Sequence, residues 1–228
     1  MNDAGYFVTG TDTGVGKTLV AAALVRRLAR DGLRVAGMKP VASGATWDGA
    51  CWRNDDVEML RAQANVELAL ATVNPCLLKE ATAPHIAAEA EGTAIDLDRI
   101  EACYRQILRT TEAEAVVVEG VGGFMVPFNA TEGSDDLAAR LGLPLIMVVG
   151  IRLGCINHAL LTQQAILARK LRLAGWVANF IDPGESRAGE MAASLQQRIR
   201  APLLGRLPWQ AGMDAAMAAD LLVLPTRV

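Results

Sequence analysis

The feature that most restricts the fold of this chain is an alternation of short apolar runs with longer runs of helical periodicity. The apolar runs are typical of strands covered on both faces, and they are Tyr6–Thr9, Arg34–Met38, Val116–Glu119, Leu145–Val149, Gly175–Asn179 and Leu203–Leu207. The periodic runs predict helices at Lys17–Arg30, Asp55–Ala64, Leu97–Thr110, Asp135–Leu141, Asn157–Leu171 and Ser186–Arg200. Such alternation predicts an α/β fold, a mostly parallel, doubly wound sheet with helices on both faces. Ligands bind at the carboxyl ends of the strands in sheets of this kind.

Composition and charge exclude several classes of protein. Hydrophobic residues make up 52% of the 228 residues and charged residues 21%, which suits a large core and is unlike a disordered chain. The net charge of −3 argues against a general nucleic-acid binder, because such proteins carry a basic surplus. The longest mostly apolar stretch, 141–151, is too short to cross a bilayer. The length alone suits one large α/β domain or two small ones.

The cysteines and histidines are few and scattered. Cys51, Cys76, Cys103 and Cys155 form no C-x-x-C pair, which disfavours a disulfide framework and a structural zinc site. With two histidines in the chain, a metal site built from a histidine cluster is also disfavoured. The first residues show no basic region followed by a long apolar one, so we expect no signal peptide and a cytoplasmic location, without membrane or nucleic-acid partners.

The strongest functional signal is the glycine-rich turn that follows the first apolar run. Residues 10–18 read GTDTGVGKT and lead directly into a predicted helix. In a P-loop with this ending, backbone N–H groups bind phosphate, Lys17 contacts the β- and γ-phosphates and Thr18 binds Mg²⁺. The strict pattern has glycine where this chain has Thr11, so a glycine-rich turn without a ligand is the alternative. The order of strand, turn and helix favours nucleotide binding by Thr13, Gly14, Val15, Gly16, Lys17 and Thr18.

Acidic residues suit a metal site beside this turn. Glu119 ends an apolar run, at a position where P-loop proteins usually carry an Asp that holds Mg²⁺ or its water. Asp55 and Asp56 stand at a predicted helix start, where acids are also common as caps and dipole partners. Because Mg²⁺ prefers oxygen ligands in an octahedron, Thr18, Glu119 and one of these two Asp residues would form a sensible set.

A lysine follows the second apolar run. Lys39 comes directly after Met38, at a strand end that should face the phosphate site. Pro40 and Gly44 shape a tight loop that could present Ser43 as a hydrogen-bond donor. The alternative is a surface lysine whose aliphatic part lies along the protein.

Two further turns follow strands and could approach a ligand. Gly122 and Gly123 lie in a glycine loop next to Glu119, suited to close approach of the backbone. Residues 150–158, GIRLGCINH, open a predicted helix whose first N–H groups could bind a carboxylate. Cys155 and His158 have the spacing of neighbours on a helix, yet a buried cysteine and a packed histidine are commoner than a nucleophile with its base.

Nine segments, taken together and in order, resemble the dethiobiotin synthetase family from Tyr6 to about Trp209. They are YFVTGTDTGVGKT, GMKPVASG, RNDD, ATVNP, ATAPHIAA, VVVEGVGG, VVGIRLGCINHALLT, LAGWVANF and PLLGRLPW. Very many proteins share the phosphate-loop ending, whereas GMKPVASG, VEGVGG and GCINHALLT together are far more specific. The resemblance implies a single P-loop NTPase domain over residues 1–228.

The resemblance also implies a reaction. In that family a carbamate forms on one amine of 7,8-diaminopelargonate from CO₂, and it attacks the γ-phosphate of ATP to give a mixed carbamic–phosphoric anhydride. The second amine then closes the cyclic urea and expels phosphate. The implied partners are these three small substrates and a second copy of the chain in a homodimer, with Mg²⁺ as the cofactor.

Individual roles follow from the same resemblance. The implied catalytic residues are Lys17, Lys39 and Thr13, and the implied metal ligands are Thr18, Asp56 and Glu119. Ser43, Gly122 and Gly123 would border the substrate, and Asn179 and Pro208 the adenine. The substrate carboxylate would be bound across a two-fold dimer interface by Gly154, Cys155, Ile156 and Asn157.

Two positions depart from some members of the family. Some carry Glu where this chain has Gly14, so any role of that carboxylate is absent here. Some carry Tyr in the region of Glu190, where a hydroxyl would help to hold the substrate carboxylate. Glu190 would repel that carboxylate unless its side chain points away.

Two other functions are alternatives. A partitioning or positioning switch ATPase usually has a second lysine near the start of its phosphate loop, and residues 10–16 contain none. No basic stripe or terminal amphipathic membrane helix is evident in the sequence either. An amide synthase of the cobyrinate type needs an added glutaminase domain, for which 228 residues leave no room.

Overall fold

In the computed structural model the described residues are 5–225, and residues 1–4 and 226–228 lie outside them. The strands are β1 Gly5–Gly10, β2 Val35–Met38, β3 Val41–Ser43, β4 Thr46–Trp47, β5 Trp52–Arg53, β6 Cys76–Leu78, β7 Ala115–Glu119, β8 Leu145–Gly150, β9 Leu173–Asn179 and β10 Leu203–Leu207. The helices are α1 Lys17–Arg30, α2 Asp55–Gln63, α3 Leu70–Val73, α4 Pro84–Ala90, α5 Leu97–Thr110, α6 Ser134–Leu141, α7 Cys155–Ala168, α8 Ala188–Arg198 and α9 Ala215–Asp220. The predicted domain, 1–228, includes the termini outside the described part and stays a prediction.

Six strands form one parallel sheet in the order β10-β9-β8-β1-β7-β2. Strand β1 lies in its middle, where Phe7 pairs with Val118 of β7 on one side and with Leu145 of β8 on the other. After β1 the chain forms the edge strand β2 and then returns to β7 beside β1, whereas β8, β9 and β10 follow on the other side, so the strand order reverses beside β1. The predicted α/β fold with a parallel, doubly wound sheet is confirmed, and a ligand site is expected at the carboxyl ends of these central strands.

Apolar side chains cover both faces of this sheet. Successive residues of a strand point to opposite faces, so Val8 packs with α1, α2 and α9, whereas Phe7 packs with α4, α5 and α6. Helices α7 and α8 cover the same face as Phe7 over β8 and β9, around Met147 and Trp176. The expected helices on both faces are therefore present. Within residues 5–225, no helix is both long enough and apolar enough to cross a membrane.

The C-terminal segment packs back on the first helix. Ala215, Ala218 and Ala219 of α9 belong to the same core cluster as the buried side of α1. Arg27 of α1 donates to the Leu222 carbonyl at 2.8 Å. Residues 210–225, for which no role was predicted, thus cover the end of the core beside β10.

The short elements β3, β6, α3, α4 and α9 were not predicted, because runs of three to seven residues carry little periodicity. Strand β3 pairs in parallel with β6, which holds the loop after β2 against residues 76–78. Helix α7 begins at Cys155, two residues before the predicted start at Asn157. The turn before it ends at Gly154, whose φ of 92° favours glycine.

Candidate active site

The phosphate loop joins the central strand β1 to helix α1. Gly16 has φ 87°, and a Cβ atom there would lie 2.2 Å from Asn179 Nδ2, so both the backbone conformation and the space require glycine. Asn179 Nδ2 donates to the Val15 carbonyl at 2.9 Å, which ties the loop to the end of β9. Within residues 5–225, no side chain caps the N-terminus of α1. The N–H groups of this helix start therefore suit an anionic ligand.

Lys17 is the first residue of α1 and is buried. Its ammonium donates to the Asp12 carbonyl at 3.1 Å, so the side chain lies back along the loop. Burial lowers the pKa of Lys17 to about 8, and the neighbouring ammonium of Lys39 adds to this shift. Two ammonium groups thus share one site, and a polyphosphate would relieve their repulsion.

Four side chains from four elements meet beside this lysine. Lys39 Nζ lies 2.6 Å from Glu119 Oε1 and 3.1 Å from Asp56 Oδ2. Thr18 Oγ1 lies 2.8 Å from Asp56 Oδ1 and 2.9 Å from Glu119 Oε1. Lys39 directly follows β2 and Glu119 ends β7, whereas Thr18 and Asp56 belong to the first turns of α1 and α2. The sequence left open which Asp belongs here, and the structure selects Asp56 over the exposed Asp55.

Burial and ion pairing shift the pKa values in this cluster. Burial raises the pKa of the Glu119 carboxyl, although Lys39 opposes the shift. Burial acts to lower the pKa of Lys39, but the carboxylates of Glu119 and Asp56 outweigh it and raise that pKa. For Asp56, burial acts to raise the pKa and Lys39 overrides it, so the pKa is lowered. Lys39 is therefore a positively charged group at neutral pH, not the surface lysine of the alternative interpretation.

Thr18, Asp56 and Glu119 fit a magnesium ion. All three present oxygen atoms, which are the ligands that Mg²⁺ prefers. Glu119 Oε2 is buried and has no hydrogen-bond partner within residues 5–225, as expected of an oxygen that has a ligand to bind. No group of three or more His, Cys, Asp and Glu side chains in the described range could hold a metal by itself. That finding agrees with Mg²⁺, which usually takes substrate phosphates and water as its other ligands.

A cleft of about 920 Å³ opens next to this cluster. The predicted site residues that line it are Thr13, Gly14, Gly16, Lys17, Thr18, Lys39, Ser43, Asp56, Glu119, Gly122 and Gly123. Gly122 has φ 59°, and a Cβ atom there would lie 3.6 Å from Thr13 Oγ1, so the glycine loop after β7 lies against the phosphate loop. Val15 is 1% exposed and its side chain packs in the core, so it can contact a nucleotide only through its backbone.

The start of helix α7 forms a separate surface. Residues 154–157 are not among the described residues that line the cleft of the same chain. Gly154 is the N-cap and Asn157 is the third residue of the helix, exposed to solvent. Asn157 is therefore not the cap of α7, because the helix begins two residues before it.

Cys155 does not have the surroundings of a nucleophile. It is 2% exposed, its Sγ lies 3.8 Å from Met191 Sδ, and burial raises its pKa. His158 is exposed, whereas Cys155 is buried. A thiolate with an adjacent base is thus not formed here, as the sequence interpretation favoured.

The predicted adenine residues lie at the ends of neighbouring strands. Asn179 ends β9 and Pro208 follows β10, and Phe180 N donates to the Leu207 carbonyl at 2.9 Å between them. Asn179 is buried and Pro208 is exposed. Because Asn179 also contacts the phosphate loop, the ends of β9 and β10 lie next to that loop.

The two departures from the family have different surroundings. Gly14 has φ 73° and open space where a Cβ atom would be, so no neighbour replaces a carboxylate there. Glu190 forms an exposed ion pair with Arg187, with Nη1 and Oε1 at 2.5 Å. Arg187 offsets the charge that would otherwise repel a substrate carboxylate.

Sequence reasoning missed a contact between the phosphate loop and the turn that follows β8. Arg152, two residues after β8, pairs with Asp12 of the phosphate loop at 2.5 Å. The residues are 140 positions apart, so no local pattern predicts the pair. Its one signal is that Arg152 follows a strand of the parallel sheet, as Lys39 does.

The parallel sheet and the glycine-rich loop between β1 and α1 define the P-loop NTPase class. A family described as an AAA domain matches residues 4–217. The fold is similar to that of the MinD cell division protein of Aquifex aeolicus, with a TM-score of 0.59, 16% identity, and coverage of 95% of this chain and 86% of that one. A ParA family ATPase from Chlorobium tepidum TLS gives a TM-score of 0.56 at 13% identity, covering 92% of this chain and 86% of the other. At these identities the likeness shows the fold alone.

Two curated relatives are much more similar in sequence. The ATP-dependent dethiobiotin synthetase BioD of Aromatoleum aromaticum (strain DSM 19018 / LMG 30748 / EbN1) is 52% identical over 220 residues, which cover 96% of this chain and 97% of the relative. The protein of the same name from Janthinobacterium sp. (strain Marseille) is 51% identical over 220 residues, 95% of this chain and 92% of that one. The chain belongs to the ATP-dependent dethiobiotin synthetase family, and the resemblance drawn from the sequence is confirmed.

Proposed function

We propose that this protein joins 7,8-diaminopelargonate and CO₂ into the cyclic urea dethiobiotin and converts ATP to ADP and phosphate. The observation that carries the proposal is the pair of lysines, Lys17 and Lys39, at one end of a cleft that also reaches Ser43 and Gly122. Membership in the dethiobiotin synthetase family supports the choice of substrates.

The reaction proceeds in three steps. One amine of the diamine adds to CO₂ and loses a proton, which gives a carbamate. A carbamate oxygen attacks the γ-phosphorus of ATP and ADP leaves, so that a mixed carbamic–phosphoric anhydride forms. The second amine attacks the carbamate carbon, the C–O bond to phosphate breaks, and the ring closes with loss of a proton.

The side chains at the site supply charge and position, not a covalent intermediate. Lys17 and the N–H groups at the start of α1 would bind the phosphates of ATP. Lys39 would face the carbamate and the transferring group, with Thr13 close to the same charge. Phosphoryl transfer depends mainly on positioning and electrostatic stabilisation, which such preorganised donors provide.

Thr18, Asp56 and Glu119 would hold Mg²⁺. There the ion would supply positive charge to offset the negative charge that develops on the transferred phosphoryl group. The carboxylates of Asp56 and Glu119 also keep Lys39 charged, as the raised pKa of Lys39 indicates. Asp56 and Glu119 would thus both bind the metal ion and form ion pairs with Lys39.

The remaining contacts follow the shape of the cleft. Ser43, Gly122 and Gly123 line the cleft and would border the diamine. Asn179 and Pro208 would border the adenine at the ends of β9 and β10. Gly122 has a φ of 59° and no side chain, so the backbone there would be able to approach the substrate closely.

A second copy of the chain would complete the site in a homodimer. The substrate carboxylate would be bound by Gly154, Cys155, Ile156 and Asn157 of that second copy at the start of α7. The separation of these residues from the cleft of their own chain supports this arrangement. Leu153 and Leu161 are 87% and 62% exposed beside them, an apolar surface that suits contact with a partner. In a two-fold dimer one interface completes both sites.

Phosphate release that requires the diamine tests the proposed function. The protein is supplied with ATP, Mg²⁺ and bicarbonate, with and without 7,8-diaminopelargonate, and phosphate and the cyclic product are measured. We expect phosphate release to depend on the diamine, and an analogue with one amine to give no ring. Equal hydrolysis of ATP without any diamine, and no cyclic product, would overturn the proposal. It would favour the switch-ATPase alternative, although residues 10–16 contain no lysine.

A further inference from the structure

The segment ATVNP, residues 71–75, belongs to the resemblance but has no role in the proposed reaction. Asn74 of this segment lies between α3 and β6 and is 5% exposed. Its side chain does not reach the cleft, because Asn74 is not among the described residues that line it. The contacts of Asn74 are instead with the backbone that carries Lys39.

Asn74 and its neighbour hold Lys39 on both sides of the residue. Asn74 Nδ2 donates to the Lys39 carbonyl at 2.6 Å and to the Cys76 carbonyl at 3.2 Å. Lys39 N donates to the Val73 carbonyl at 3.0 Å. The backbone of Lys39 is therefore bound through its N–H and through its C=O by two consecutive residues of another segment.

These contacts take over where the sheet ends. The ladder between β2 and β7 ends at the pair Met38 and Val118, one residue before Lys39. Pro40 follows and has no N–H to donate. Asn74 Nδ2 therefore donates the hydrogen bond that a neighbouring strand would otherwise donate to the Lys39 carbonyl. Without Asn74 this carbonyl would lose that donor.

The orientation of the Asn74 amide is set by its surroundings. Both carbonyl oxygens accept from Nδ2, and the opposite orientation would place Oδ1 against them. Oδ1 is buried and has no hydrogen-bond partner within residues 5–225. A buried oxygen without a hydrogen-bond partner is unfavourable. The Asn74 side chain therefore acts here through its donor group, Nδ2.

We propose that Asn74 is a positioning residue for Lys39. It fixes the backbone from which the Lys39 ammonium reaches Glu119 Oε1 at 2.6 Å and, in the proposed function on which this inference rests, the transferring phosphate. Asn74 touches no reacting atom. Its removal changes the position of an ammonium group, and a misplacement of about 1 Å can cost about 10²-fold in rate.

The test compares Asn74→Ala with Asn65→Ala. Asn65 makes the same kind of bridge at the other end of β2, since its Oδ1 accepts from Val35 N at 2.7 Å and its Nδ2 donates to the Leu33 carbonyl at 2.8 Å. We expect Asn74→Ala to lower kcat by about 10- to 10²-fold with the KM for ATP within about twofold of the wild type. Asn65→Ala should leave kcat within about twofold of the wild-type value, even if its melting temperature is lower. Should Asn74→Ala fail to fold, Asn74→Ser provides the same comparison.

A double mutant separates positioning from a general structural role. If Asn74 acts through Lys39, then Asn74→Ala should change the rate by less than about twofold when Lys39 is already Ala. Effects that multiply in the double mutant, or equal losses in Asn74→Ala and Asn65→Ala, overturn the positioning role.

Failure of the proposed function gives a different result. A wild type that hydrolyses ATP equally well without the diamine overturns that function. The rates of this hydrolysis in Asn74→Ala, Asn65→Ala, Lys39→Ala and the double mutant then still decide the role of Asn74. A wild type that releases no phosphate under either condition overturns both.

Discussion

Lys39 Nζ lies 2.6 Å from Glu119 Oε1, and these side chains are 3% and 0% exposed. The pair joins the ends of two adjacent parallel strands, β2 and β7, directly beside the phosphate loop. Taking one partner from a buried ion pair leaves the other uncompensated, which is strongly destabilising. The pair therefore links the charge needed for phosphoryl transfer to the stability of the sheet edge.

Lys39→Ala is expected to lose both activity and stability. Loss of one preorganised electrostatic contact lowers kcat on the order of 10²–10³-fold. Burial of Glu119 beside the missing ammonium predicts a lower melting temperature. Turnover and thermal unfolding are measured at a temperature where the variant is folded.

Lys79→Ala is the matched control for this change. Lys79 is exposed, and its ammonium lies over the Trp52 ring at 5.3 Å. Turnover and melting temperature should stay close to those of the wild type. If Lys39→Ala matched Lys79→Ala in turnover, Lys39 would have no part in the reaction.

Asp56→Asn is expected to weaken the response to Mg²⁺. The variant loses a charged oxygen ligand, so the Mg²⁺ concentration for half-maximal activity should rise by about 10- to 100-fold. Binding of Mn²⁺, followed by electron paramagnetic resonance in the presence of ADP, should weaken in parallel. Chelation of the metal should abolish turnover of the wild type.

Asp55→Asn controls for the charge of the same helix start. Asp55 is exposed and precedes Asp56 in α2, so its removal alters the local charge equally without touching Thr18 or Glu119. An equal rise in the Mg²⁺ requirement of both variants would show that the effect is one of general charge and would remove Asp56 from the metal site.

Asn157→Ala is expected to affect the diamine and not the helix. Loss of a hydrogen bond to a carboxylate should raise the KM for the diamine by about tenfold or more, with little change in that for ATP. The melting temperature should stay unchanged, because Gly154 and not Asn157 is the N-cap of α7.

Mixing two inactive or weakened variants tests whether the site is shared. In a heterodimer of Asn157→Ala and Lys17→Ala chains, one site would combine a wild-type phosphate loop with a wild-type α7 start. Activity at low diamine concentration should therefore return after subunit exchange. If mass spectrometry shows exchange and no activity returns, each chain builds its own site.

The sequence predicted the elements whose pattern is local. The strands β1, β7 and β8 are buried apolar runs. Residues at the carboxyl ends of such runs meet at one edge of the sheet, and Lys39 and Glu119 were therefore expected there, where the structure has them. The bridge from Asn74 to Lys39 could not be predicted, because it joins residues 35 positions apart through a three-residue strand pairing. The start of α7 was misplaced because a turn closed by a left-handed glycine, Gly154, looks in sequence like the rest of a loop.

Transfer of an oxygen atom from CO₂ to phosphate tests the central claim most directly. In the proposed reaction the carbamate oxygen that attacks the γ-phosphorus leaves with the phosphate when the ring closes. The protein is therefore given ATP, Mg²⁺, the diamine and CO₂ labelled with oxygen-18. The reaction is stopped before the labelled CO₂ exchanges its oxygen with water, and the phosphate is analysed by mass spectrometry. Labelled phosphate in step with the cyclic product is the predicted result. Unlabelled phosphate, formed while ring closure proceeds, would show that water and not a carbamate attacks ATP and would contradict the account.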